Sequence, residues 1–134
     1  MDQEPLVREQ IDAARKFLDE LEKHLSFQAA FWLKADEDSH WDLYIATDQV
    51  RNGSTAAAYE GVVKASDAVD DPNFDLSRVK VKLIGTKDPL ARAALEMYQR
   101  YPQRIPIFRW RERFGKQEVQ GLYLYPQPVQ AVSP

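Results

Sequence analysis

The apolar residues of this chain change period several times, and that change limits the fold more than any single motif does. Residues from Glu4 to Leu25 repeat their apolar positions at spacings of three and four: Leu6, Val7, Ile11, Ala14, Phe17, Leu18, Leu21 and Leu25. That is the stripe of an amphipathic helix, opened by Pro5 at a position where a missing N–H costs nothing. Asp12 with Lys16 and Glu20 with His24 stand four apart, acid first, as helix-supporting pairs. From Phe27 to Ala35, and again from His40 to Thr47, the period falls to two. The polar turn Asp36-Glu37-Asp38-Ser39 lies between, so the two runs read as a β-hairpin. The expected register sets Leu33 opposite Trp41, Phe31 opposite Leu43 and Ala29 opposite Ile45. It places Phe31 and Trp41 on one face, with Trp32 and Tyr44 on the other.

Asn52-Gly53 breaks the pattern, and Ser54 or Thr55 is suited to cap a second helix. Its expected buried face is Tyr59, Val62, Val63, Ser66 and Val69, and Asp70-Asp71-Pro72 stops it. Arg78 to Ile84 alternates Val79, Val81 and Leu83 with Arg78, Lys80 and Lys82, a strand whose lysines discourage edge pairing. Asp88 and Pro89 open a third helix as cap and first residue, with Leu90, Ala93, Ala94, Met97, Tyr98 and Tyr101 at helical spacing. Ile105 to Pro126 reads as a second hairpin turning at Gly115-Lys116. The expected order is α-β-β-α-β-α-β-β: a single α+β domain over residues 1–126 with three helices packed on a five-stranded mixed sheet. A flexible, Pro-containing tail is expected over 127–134.

With 134 residues the chain is the size of one ordinary domain, and zero cysteines exclude disulfides, thiolate metal sites and cysteine nucleophiles. No long apolar run suggests a membrane span, and Met1 to Pro5 lacks the basic start of a secretory leader, so a cytoplasmic protein is the expectation. The net charge of −3 conceals a strong division. Residues 1–77 carry seven Lys/Arg against seventeen Asp/Glu, a net −10, whereas residues 78–134 carry eleven against four, a net +7. Such asymmetry points to a polyanion partner or to complementary self-association.

The second hairpin concentrates the positive charge. Alternation puts Phe108, Trp110 and Phe114 on one face and Arg109, Arg111 and Arg113 on the other, with the tip projecting. The two-residue turn pairs Phe114 with Gln117, Arg113 with Glu118, Arg111 with Gln120, Trp110 with Gly121, Phe108 with Tyr123 and Ile107 with Leu124. Arg104, Arg109, Arg111, Arg113 and Lys116 are therefore the candidate polyanion contacts, and Arg100 can extend them. No RNP-type, helix-turn-helix or zinc pattern accompanies them. Trp32 and Tyr44 are the candidate interface pair, because helices on one side of a sheet cannot cover both faces.

Asp36-Glu37-Asp38 with His40 and Asp42 is a cluster of cation-binding residue types, but it lacks the fixed Gly and terminal Glu of a calcium loop and reads as a solvated turn. His24 and His40 lie on different elements, and no serine has a Gly-x-Ser-x-Gly setting. No catalytic residue, metal or cofactor is expected.

The run Ala29-Ala30-Phe31-Trp32-Leu33, the acidic turn, Trp41-Asp42-Leu43-Tyr44-Ile45-Ala46-Thr47 and the helix start Lys87-Asp88-Pro89-Leu90 together resemble a family of short uncharacterised bacterial proteins. That resemblance implies no activity. The order of elements is also similar to that of GAF and PAS sensor domains, which implies a small-ligand pocket between the sheet and the second helix. The readings that follow are a non-catalytic protein-interaction or self-association module (a homo-oligomer or the accessory of a protein partner), a nucleic-acid-binding accessory protein, and a small-ligand sensor.

Overall fold

A computed structural model describes residues 6, 8–37, 39–50, 55–102 and 104–128. The elements follow the expected order: α1 (Arg8–Leu21), β1 (Ala29–Lys34), β2 (Asp42–Ala46), α2 (Thr55–Ala68), β3 (Val81–Ile84), α3 (Pro89–Arg100), β4 (Ile107–Phe114) and β5 (Gln117–Leu124). The start of the expected first helix, Asp38, the Ser54 cap and residues 129–134 of the expected tail lie outside the described residues.

The strands form one mixed sheet in the order β3-β2-β1-β5-β4. β2 and β3 are parallel and joined through α2; the other neighbours are antiparallel. α3 then carries the chain from β3 at one edge to β4 at the other. Among the described residues no helix is long and apolar enough to cross a membrane.

The sheet is sandwiched. On one side α1 contributes Ala13, Ala14, Phe17, Leu18 and Leu21, and α2 contributes Ala58, Val62 and Ala65, to a core around Trp32, Leu43 and Ile45. On the other side α3 presents Ala91, Ala94, Met97 and Tyr98 to Phe31, Leu33, Leu122 and Leu124. β1 is buried along its whole length for this reason.

Double-sided burial corrects the register of the first hairpin. Phe31 pairs with Tyr44, Trp32 with Leu43 and Leu33 with Asp42, a slip of one residue from the expected pairing. A one-residue slip exchanges faces, and where both faces are apolar the alternation cannot select between the two registers. Trp32 and Tyr44 therefore lie on opposite sides of the sheet. Trp32 belongs to the α1–α2 core, while Tyr44 stacks on Phe31 with ring centroids 5.4 Å apart.

α2 is also rotated relative to expectation. Val63 and Tyr59 are 49% and 38% exposed, and the small residues Ala58, Gly61 and Ala65 face inward with Val62. The cause is the close approach of α1's end: a Cβ on Gly61 would lie 3.4 Å from that of His24. α1 itself ends at Leu21 and continues as a turn, so Leu25 enters the core from outside the helix. Lys16 reaches across to Asp71, beyond α2, at 2.9 Å. α3 begins as expected, with the Asp88 carboxylate accepting from the Leu90 N–H at 2.9 Å and Pro89 as first residue.

Candidate binding surface

Trp32 is 1% exposed, so one chain alone already covers it. A buried indole needs a partner for its N–H. Trp32 Nε1 donates to the Tyr125 hydroxyl at 2.9 Å, and that hydroxyl donates to the Ile11 carbonyl at 2.8 Å. From the opposite face the Tyr98 hydroxyl donates to the Tyr125 carbonyl at 2.8 Å. Burial pushes both phenols well above their usual range, so they act as neutral hydroxyls. This network makes Trp32 a core residue and removes it from any contact surface. Tyr44 is half-buried and occupied within the chain: Lys82 Nζ lies 5.3 Å from its ring centroid. The same ammonium is 3.1 Å from Asp42. Partial burial alone would lower the Lys82 pKa; the Asp42 carboxylate and Tyr44 outweigh it and hold the pKa above its usual value. Asp42 is thus committed to Lys82. Among the described residues, no three His, Asp or Glu side chains converge as a metal site.

The exposed aromatic surface lies on β4. The second hairpin adopts the expected register, with Trp110 opposite Gly121 and Phe108 opposite Tyr123. Trp110 is 57% exposed and Phe108 39%, and their rings stack at 5.0 Å with an interplanar angle of 28°. Trp41 stands edge-on beneath both, 5.7 Å from Trp110 and 6.4 Å from Phe108. Gly121 permits this arrangement. A Cβ there would come 3.0 Å from Trp110 Cζ3 and closer still to the Trp41 ring, so two indoles meet over a bare backbone.

Beyond Trp110 the alternation breaks. Arg111 has φ = 48°, a left-handed conformation unusual for a side-chain-bearing residue. Past this point Phe114 and Val119 enter the core on the α3 side, and Phe114 meets Phe31 edge-on at 5.3 Å. The expected grouping of Phe114 with Phe108 and Trp110 is therefore wrong, as is the projecting tip. Gly115, at φ = +69°, lies so close to α3 that a Cβ would sit 3.1 Å from the Pro89 carbonyl oxygen.

This turn divides the arginines. Arg109, Arg113 and Lys116 line a groove of about 910 Å3 between β4 and α3. Arg111 and Arg104 are exposed but are not part of its lining. The opposite wall supplies Arg92, Glu96 and Arg100 from α3. Arg109 is held in place: its guanidinium lies 5.5 Å from the Tyr101 ring centroid, and its Nε is 3.6 Å from Glu112. Among the described residues, Arg92, Arg100, Arg113 and Lys116 form no ion pair. Arg92 and Glu96 lie outside the sequence-based candidates although their spacing is visible: Arg92, Glu96 and Arg100 recur every fourth residue and form one stripe of α3. Only the tertiary structure sets that stripe opposite β4.

No protein-family model, curated protein or solved structure matches this chain.

Proposed function

We propose that this chain is a non-catalytic, cytoplasmic self-association module whose contact surface is the aromatic platform of β4. The observation that carries this reading is the stacked Phe108–Trp110 pair, held in one arrangement by Trp41 yet open to solvent on an edge strand. Large rigid aromatics cost little side-chain entropy when covered, and they dominate the centres of protein interfaces. A second copy is the favoured occupant because a two-fold contact buries the same patch twice, and because a chain of −10 and +7 segments is complementary to itself. The contact is made through side chains rather than by strand addition. Arg109, Arg111 and Arg113, with the left-handed residue among them, guard the outer edge of β4 against a further strand. A pocket between the sheet and α2, as a ligand sensor needs, has little support, since Ala58, Val62 and Ala65 are packed into the core there.

Light scattering over a concentration series tests the proposal. The expected result is a dimer that becomes a monomer in the Phe108→Ala/Trp110→Ala variant with the melting temperature nearly unchanged. A wild-type chain that stays monomeric at the highest concentration overturns it.

A further inference from the structure

We propose that the groove between α3 and β4 binds single-stranded nucleic acid along its phosphate backbone. This site is separate from the aromatic platform and does not depend on self-association. The two walls run antiparallel. The start of α3 lies against Gly115 at the hairpin turn, and Tyr101 at its end lies under Arg109. Arg100 and Arg109 therefore mark one end of the groove, and Arg92, Arg113 and Lys116 the other. Along the helix, Arg92 and Arg100 are separated by about 12 Å at 1.5 Å per residue. Along the strand, Arg109 and Arg113 are at most about 13 Å apart. A single phosphate cannot reach both ends. A stacked strand places about one charge every 3.4 Å, so three to four phosphates fit the interval.

The residue types sharpen the choice of ligand. Four of the five cations are arginines, whose planar forks match phosphate oxygens. Glu96 and Glu112 line the same groove as these cations. They repel any polyanion, but they can accept hydrogen bonds from the amino groups of bases, donors that the side chains of an acidic peptide lack. Tyr101, 38% exposed at the rim, offers a ring surface for stacking.

The test is fluorescence anisotropy with a labelled single-stranded 12-nucleotide DNA of mixed sequence, titrated with the full chain from about 50 to 200 mM salt. Saturable binding is expected, with a log–log salt slope between about −2 and −3, corresponding to three to four neutralised phosphates. The Arg92→Gln/Arg100→Gln/Arg113→Gln variant should bind at least about tenfold more weakly and lose about 2 from the slope, with an unchanged melting temperature. Trp110→Ala should bind as wild type does, which separates this site from the dimer contact. No binding at 50 mM salt overturns the proposal, as does an unaffected triple variant or dependence on Trp110. Equal retention of a polyglutamate peptide of the same length also overturns it, in favour of an acidic protein partner.

Discussion

Trp32 and Trp110 occupy the same face of the same sheet, yet one is sealed and the other half open. Trp32 sits on the central strand β1, beneath α1 and α2, with its indole N–H satisfied by Tyr125. Trp110 sits on the edge strand β4, where one neighbouring strand, Phe108 and Trp41 are its support. Residue type is identical and strand order decides the outcome. A central position brings cover from neighbours on every side, whereas an edge position leaves a large ring with area to give to a partner.

Replacing each tryptophan with alanine separates the sealed site from the open one most directly. Trp32→Ala should lower unfolding free energy by about 3–5 kcal/mol, through lost burial and a cavity. Trp110→Ala should cost under about 1 kcal/mol, since over half of the residue is already in water. Equal losses in chemical denaturation would mean that the platform is core. Tyr125→Phe should cost about 1–3 kcal/mol, because it strands the buried Trp32 N–H without changing shape. Gly121→Ala should cost about 1–3 kcal/mol by driving a methyl between Trp41 and Trp110, and it should also change the tryptophan fluorescence spectrum. A silent Gly121→Ala would show that the two rings are loosely held.

The smallest effect is set by pH and confined to the Trp32 side. The Asn73 backbone N–H and Lys16 hold the Asp71 carboxyl below its usual value, and the Ser77 N–H and hydroxyl do the same for Asp75. Their folded pKa values are depressed, so this stabilisation is complete above about pH 4 and fades as pH falls through the folded values. The loop they shape carries Phe74 onto Phe17, with ring centroids 4.5 Å apart. Hydrogen exchange at acid pH should therefore rise in residues 71–78 before it rises in β4, and Asp71→Asn should flatten that dependence.

How far these features were legible depends on how local their causes are. The start of α3 is written in Asp88-Pro89, because a cap and a fixed φ act within one turn. The second hairpin is equally plain: its two-residue turn sets the register, and Gly121 opposite Trp110 shows where an indole needs room. The register of the first hairpin differs from the alternation by one residue. Its connection is longer, and an apolar strand buried on both faces accepts either register equally well. The inward face of α2 differs from the periodicity for a related reason: Val63 and Tyr59 are the more hydrophobic choices, but the turn after α1 comes so close that Gly61 faces it, with Ala58 and Ala65 buried on the same side.

The order of the elements, the mixed α+β class, the turn and pairing of the last hairpin and the gathering of positive charge in the second half of the chain are all written in the sequence. Those follow from spacing, turn chemistry and composition, which act between near neighbours. The tertiary structure decided which tryptophan is hidden, where β4 turns over at Arg111, and which arginines share a groove. The first follows from strand order and the cover of α1 and α2, and the last from α3 crossing the sheet to bring Arg92 and Arg100 opposite Arg109 and Arg113; each is a meeting of distant segments that no local pattern encodes.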